Sequence, residues 1–259
     1  MEELRRKIDT ILAEYTGRWG IAVLNHSNGQ RLEINSQMVF PSASMIKVPI
    51  MFEVMRQTAA KTISLDQVLI VKNKFHVGGA GILKELRPDI PMTIQELVTL
   101  MIILSDNTAT NMLIDLVGMK AINTTMTNLG LKTTILRRYM MDFPAALEGK
   151  ENVTSAADVV SLFAAIYDSV ELPSNYSTLM LDILTRQQFQ DKLPFYLPEG
   201  VGIAHKTGTL PGVEHDGGIL FLPRGPYSIC VLTADLRKNF QGIQLISRVG
   251  NLIYEHFHP

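Results

Sequence analysis

Ser44-Met45-Ile46-Lys47 is the single Ser-x-x-Lys of the sequence. It follows Pro41-Ser42-Ala43 and opens a run rich in apolar residues (Val48, Ile50, Met51, Phe52, Val54, Met55) that reads as a helix. Positions i and i+3 share a helix face, so the Ser44 hydroxyl and the Lys47 amine can meet. A serine needs a base to become a nucleophile, and a lysine serves if burial or nearby cations lower its pKa. A helix N-terminus also favours negative charge developing at Ser44. By itself the spacing arises by chance about once in a chain of this length and is then a helix cap beside a surface lysine.

Two further clusters carry comparable chemistry. Ser105-Asp106-Asn107 lies at a helix–helix junction, where all three residue types also make ordinary caps. Facing a cleft, its hydroxyl could relay a proton and its amide could bind a substrate carbonyl. Lys206-Thr207-Gly208-Thr209 closes a strand. It is either a strand end with a glycine turn or an anion site. In the second case Lys206 is a point charge for a carboxylate, and the hydroxyls of Thr207 and Thr209 hydrogen-bond it. Gly208 would let a substrate backbone come close.

These clusters must be positioned by the rest of the chain. Leu4, Ile8, Ile11, Leu12 and Tyr15 recur at helical spacing, which predicts an amphipathic helix over roughly 2–16. Trp19–Leu24 and Arg31–Ile34 flank Asn25-His26-Ser27-Asn28-Gly29 as a hairpin. Gly202–His205, Gly218–Leu222 and Ser228–Thr233 read as strands, and Asn239–His256 as a final helix. Between them, helical periodicity dominates. Thr93-Ile94-Gln95-Glu96 is a capping box for a helix reaching about Leu104. Asn107–Val117, Met119–Leu129, Ala156–Tyr167 and Tyr176–Leu184 are further helices, while Leu131–Val153 lacks clean periodicity. Two terminal strands alone make no stable sheet, so the first two should join the last three. The expected fold class therefore combines an α/β portion with an all-α portion. An antiparallel sheet flanked by terminal helices (1–40 and 190–259) carries an inserted helical domain (41–189), with a ligand cleft between the two.

Composition narrows the function. The 259 residues suit one large domain or two small ones, with 46% hydrophobic and 19% charged residues. Lys plus Arg is 24 against 25 Asp plus Glu, a balance that argues against a nucleic-acid partner. No apolar run approaches the ~20 residues of a membrane span. The start, Met1-Glu2-Glu3-Leu4-Arg5-Arg6-Lys7, has no apolar segment ahead of a cleavage site, so a cytoplasmic location is expected unless the numbering begins at a mature secreted form. The lone Cys230 in Ile229-Cys230-Val231 excludes an intramolecular disulfide and reads as an inert core thiol. The six histidines lack metal spacing, so no metal and no cofactor are expected. Gly79-Ala80-Gly81 is a weak dinucleotide signal and a better cleft-flanking loop. Thirteen methionines suggest flexible core filling.

The three clusters occur in one order, at the junctions where sheet and helices should meet. In this the sequence resembles the penicillin-recognising serine enzymes, whose signature is Ser-x-x-Lys, Ser-Asp-Asn and Lys-Thr-Gly. It looks most like the class A β-lactamases. Met92-Thr93-Ile94-Gln95-Glu96-Leu97 through Ser105-Asp106-Asn107-Thr108-Ala109-Thr110-Asn111-Met112-Leu113 follows their pattern, and the resemblance covers roughly 18–255. It implies that Ser44 attacks a lactam carbonyl and that Lys47 is general base or a member of the proton relay. Ser105 would pass a proton to the leaving nitrogen. The N–H groups of Ser44 and Thr209 would form an oxyanion hole. Lys206, Thr207 and Thr209 would hold a substrate carboxylate, and Asn107 the acyl-amide side chain. The substrate would be a small molecule and the enzyme a monomer.

Two departures qualify this. Class A enzymes carry a deacylating glutamate directly after an Arg-aromatic pair in a long loop. Arg138-Tyr139 matches that pair, so Met140 falls at the glutamate position, and a thioether cannot act as a base. Asp142 is the nearest carboxylate, Glu148 and Glu151 are further, and Asn111, the glutamate's support in the family, is kept. His215 and Asp216 stand where the family usually has a carboxylate-binding arginine. Three readings follow: weak lactam hydrolysis, a penicillin-binding protein that stays acylated, or an esterase or D-amino-acid peptidase using the same Ser–Lys pair.

Overall fold

A computed structural model describes residues 1–258. Helix α1 (Glu2–Leu12) leads into the hairpin β1 (Arg18–Asn25) and β2 (Arg31–Ile34). A short strand β3 (Phe40–Pro41) precedes a 3-10 turn at Ala43–Ile46 and helix α2 (Lys47–Ala59). Then come β4 (Val68–Val71), β5 (Ile90–Thr93), α3 (Ile94–Ile103), α4 (Asn107–Val117) and α5 (Met119–Asn128). The segment after α5 holds α6 (Phe143–Leu147) and β6 (Val153–Thr154), and α7 (Ala156–Tyr167) and α8 (Ser174–Thr185) follow. The chain closes with β7 (Gly202–Leu210), β8 (Val213–Leu222), β9 (Gly225–Ala234) and α9 (Asn239–Phe257).

The first two strands join the last three in one antiparallel sheet of order β2-β1-β9-β8-β7. Apolar residues of α1 and α9 (Leu4, Ile8, Leu245, Ile246, Val249) pack with Ile21, Val23 and Val231 over one sheet face. The other face, with Ala22, Cys230 and Leu232, merges into the core of the helical segment, around Phe52, Val98, Leu113, Phe163 and Ile183. Eight of the thirteen methionines (Met45, Met51, Met55, Met101, Met112, Met126, Met140, Met180) are buried in that second core, as gap-filling side chains should be.

Several boundaries differ from the sequence reading. Helix α1 is shorter than expected, and β7, β8 and β9 are longer. Lys206–Thr209 therefore lies inside β7 rather than closing it. The α3 capping box is present, with the Thr93 hydroxyl accepting from Glu96 N–H and the Glu96 carboxylate accepting from Thr93 N–H. The β4–β5 and β3–β6 pairs were not visible in the periodicity, because two- to four-residue strands carry too few alternations.

The irregular segment after α5 is fixed from α7. Ser155 caps that helix, and its buried Asp158 carboxylate accepts N–H groups of Lys132 (3.2 Å), Thr133 (2.7 Å) and Thr134 (2.7 Å), plus the Thr134 hydroxyl (2.8 Å). Truncation would strand these buried donors. Asp158→Ala is expected to lower the unfolding free energy by about 3 kcal/mol in urea titration. A loss under about 1 kcal/mol would show that the segment is held by something else.

Candidate active site

Three segments converge beside the edge strand β7. The first is the 3-10 turn that carries Ser44. Ala43 enters it with φ +45°, and Met45 N–H closes onto the Ser42 carbonyl. The second is the α3–α4 junction. Its middle residue, Ser105, is left-handed with φ +55°. Asp106 then caps α4, accepting from Ala109 N–H at 2.9 Å. The third is β7, where Gly208 meets the nucleophile turn. A Cβ on Gly208 would lie 3.1 Å from Ala43 Cβ and 3.3 Å from Ser44 N, so a larger residue would have to push the nucleophile turn back by a few tenths of an ångström.

Lys47 begins α2 and is fully buried. Its Nζ donates to the Ser105 carbonyl (2.6 Å), the Ser105 Oγ (3.1 Å) and the Asn107 Oδ1 (2.9 Å). None of its three hydrogen bonds goes to Ser44, so the pairing that the Ser-x-x-Lys spacing suggests is replaced by contacts to the α3–α4 junction. Lys206 is equally buried and donates to the same Ser105 Oγ (3.1 Å) and to the Thr207 carbonyl (2.8 Å). One hydroxyl thus sits between two lysine amines. Burial pushes Lys47 down to about 7, with nearby Asp106 opposing the shift. Lys206 is held well below the usual lysine value, first by burial, then by the charges of Lys47 and Lys192, with Asp216 opposing.

Asn107 is held at both ends of its amide, accepting from Lys47 and donating to the Gly78 carbonyl (2.9 Å). Asp106 Oδ2 accepts Ile82 N–H (2.7 Å) and Leu83 N–H (2.9 Å), which ties the Gly79-Ala80-Gly81 loop to the site. Ser44, Asn107 and Thr209 line a cavity of about 140 Å³ with Gly79, Ala80, Met140, Met141 and Glu151. Ser44, Ser105, Thr207 and Thr209 also line an adjoining cavity of about 290 Å³ with Lys192 and Glu214. A larger hollow of about 550 Å³, between α1 and α9, contains none of these residues.

A family model for the Beta-lactamase enzyme family matches residues 3–257. The chain belongs to this family. It is 26% identical to a beta-lactamase of Bacteroides uniformis, over 98% of this chain and 91% of that protein. It is 25% identical to the extended-spectrum beta-lactamase PER-1 of Pseudomonas aeruginosa, over 97% and 86%. Among solved structures, a beta-lactamase of Sphaerobacter thermophilus superposes with a TM-score of 0.92 at 30% identity, covering 98% of this chain and 96% of that one. PBP-A superposes with a TM-score of 0.90 at 29% identity, with the same two coverages. A PBP-A variant in which a leucine is replaced by glutamate is known as an acyl-enzyme complex with penicillin G. The beta-lactamase fold and the serine-enzyme relationship read from the three motifs are therefore those of the protein.

Within the beta-lactamase frame, the two departures acquire structure. The Met140 peptide is clipped by Asn111, which accepts its N–H (2.8 Å) and donates to its carbonyl (3.1 Å). Asp142 caps α6 by accepting Ala145 N–H (3.2 Å) and is not among the residues lining either cavity. Glu151 does reach the smaller cavity, paired with Arg138 at 2.7 Å. His215 is pushed down to about 4 by burial, hence neutral. Its Nε2 lies 2.7 Å from the Pro41 carbonyl, and its Nδ1 accepts Thr233 N–H at 3.2 Å. It props the strand ahead of Ser44 and lines neither cavity. Asp216 turns away too, to His205 (2.9 Å) and Leu193 N–H (3.0 Å).

Sequence reasoning missed Lys192 and Glu214, which form a buried ion pair at 2.6 Å in the larger cavity. Lys192 lies in a stretch with no periodicity, where nothing marks a lysine as buried. Glu214 adjoins the His215-Asp216 pair, but only its cross-strand position opposite Thr209 shows its use.

Titration of Lys47 should report its environment directly. With its ε-carbon observed by NMR, the midpoint is expected near 7, and Asp106→Asn should lower it by removing the opposing charge. The stability linkage has a defined sign. Below about 7 Lys47 is protonated in folded and unfolded chains alike, and its desolvation counts fully against the fold. From about 7 up to the ordinary value of 10.5 the folded protein releases the proton first, so Lys47 makes stability rise with pH in that window. A midpoint near 10 would refute the buried placement.

Proposed function

We propose that the protein is a serine hydrolase acting through an acyl-enzyme on Ser44, with the amide of a β-lactam as its substrate and with slow deacylation. The observation that carries this is the Ser105 hydroxyl held at 3.1 Å from both Lys47 Nζ and Lys206 Nζ, in a cavity that Ser44 also lines. Ser44 Oγ would attack the lactam carbonyl carbon, and its proton would pass to Lys47, directly or through the relay. A lysine near 7 is partly neutral at physiological pH and so has an electron pair to accept it. The C–N bond would break as Ser105 donates its proton to the leaving nitrogen and is recharged from a neighbouring ammonium. The N–H groups of Ser44 and Thr209 would receive the oxyanion, across the contact that Gly208 permits. Asn107 would bind the acyl-amide group.

A persistent acyl-enzyme is favoured by a specific observation at Met140. This residue is buried, lines the cavity with Ser44, and carries no group that could activate water. Penicillin-binding behaviour, acylation without efficient turnover, is the second reading on that ground.

Intact-mass spectrometry over time with a penicillin separates the readings. The expected result is one adduct that is absent in Ser44→Ala and decays slowly. Met140→Glu should speed its decay by about tenfold or more, within the range general-base catalysis supplies. No adduct on the wild-type protein would sink the proposal. The acylation rate should rise with pH through a limb centred near 7, as Lys47 loses its proton. A flat profile across that value would remove Lys47 from the base role.

A further inference from the structure

The larger cavity beside Ser44 holds a carboxylate of its own. Glu214 Oε2 accepts the Thr209 hydroxyl at 2.9 Å and pairs with Lys192 Nζ at 2.6 Å. Glu214 Oε1 accepts from Asn239 Nδ2 at 2.7 Å, where α9 begins. The side chain is buried, and β8 sets it directly across from Thr209 on β7.

A threonine hydroxyl has one proton, and Thr209 gives it to Glu214. An ammonium has three, and Lys192 Nζ is already within reach of Glu214 Oε2, the Gly208 carbonyl (3.0 Å), the Thr209 Oγ1 (3.1 Å) and the His215 carbonyl (3.2 Å). Neither group has a donor to spare. What remains for an incoming anion among these side chains is the Thr207 hydroxyl, which lines the cavity and makes no hydrogen bond among the described residues; Lys206, with two hydrogen bonds, is fully buried behind the cavity wall. Asp191 lines the same cavity and adds a second acidic side chain. An anionic substrate must therefore displace Glu214 from Thr209 and Lys192, or bind beside it with fewer partners.

We propose that Glu214 is the residue that sets the charge preference of the site: it occupies the donors a substrate carboxylate needs, and so turns the enzyme toward substrates that are neutral beside the scissile bond. This rests on the acyl-enzyme reading of Ser44. It adds to that reading a substrate class, uncharged amides or esters. Specificity of this kind comes from an element that works against the wrong ligand as much as from contacts to the right one.

The test compares one β-lactam as its free carboxylate and as its methyl ester, with acylation of Ser44 followed by intact-mass spectrometry. Wild type should acylate faster with the ester. In Glu214→Gln, the ratio of carboxylate to ester rates should rise by about tenfold, the scale of losing one charged competitor for a binding group. A purely structural role would move both rates together and leave the ratio unchanged, which overturns the inference while leaving the acyl-enzyme reading intact. If neither compound acylates the wild-type protein, both fall. If Glu214→Gln does not fold, the wild-type acyl-enzyme crystal structure with the carboxylate compound decides. Thr209 and Lys192 turned from Glu214 to the substrate carboxylate is the expected result. Both contacts to Glu214 retained beside a bound carboxylate overturns the proposal.

Discussion

Two buried lysine amines share one hydroxyl, and the α3–α4 junction and β7 are arranged so that they can. Lys47 and Lys206 are both fully buried, and an unpaired buried charge is strongly destabilising. Their partners here are mostly not carboxylates. They are the Ser105 hydroxyl and main-chain carbonyls, with Asn107 completing the set around Lys47. Dipoles compensate a cation less completely than an anion does, so both lysines sit below their ordinary values. The left-handed backbone at Ser105 belongs to the same solution, since Lys47 takes its carbonyl and its hydroxyl together.

The irregular regions around the site are governed by short polar side chains that fix main chain. Asp106 binds N–H groups of the preceding loop and of its own helix, so the Gly79–Gly81 strip and α4 are set by one carboxylate. Asn152 accepts N–H groups of both Arg137 and Arg138, and its own carbonyl receives Ser42 N–H. The loop that lines the smaller cavity and the strand end before Ser44 are thereby linked through one residue. Buried polar groups of this type hold their positions only when all partners are present, which makes them specific.

The legible features of the sequence were those encoded locally. Helical periodicity marked α2 to α5, α7 and α8 in outline but not the short α6, the Thr93 box marked the start of α3, and the pairing of first and last strands followed from the need for more than two. Ser44, Ser105, Thr207 and Thr209 meet at one cavity, as their order along the chain suggested. What escaped was long-range. The partner of Lys47 is 58 residues away, not 3. The polar run Glu214-His215-Asp216 blurs the strand signal of β8, because all three side chains are buried and paired with distant groups. No window of sequence contains the information that Lys192 will meet Glu214.

The clip that Asn111 places on Met140 touches only the peptide unit, N–H on one side and carbonyl on the other. Asn111 therefore grips the main chain at position 140 without regard to the side chain, which packs separately into the core around the helices. Architecture and reactivity are separable there. An exchange of the residue at 140 could thus keep the main-chain clip and the course of the loop, while the core and the cavity that this side chain lines adjust to the new one.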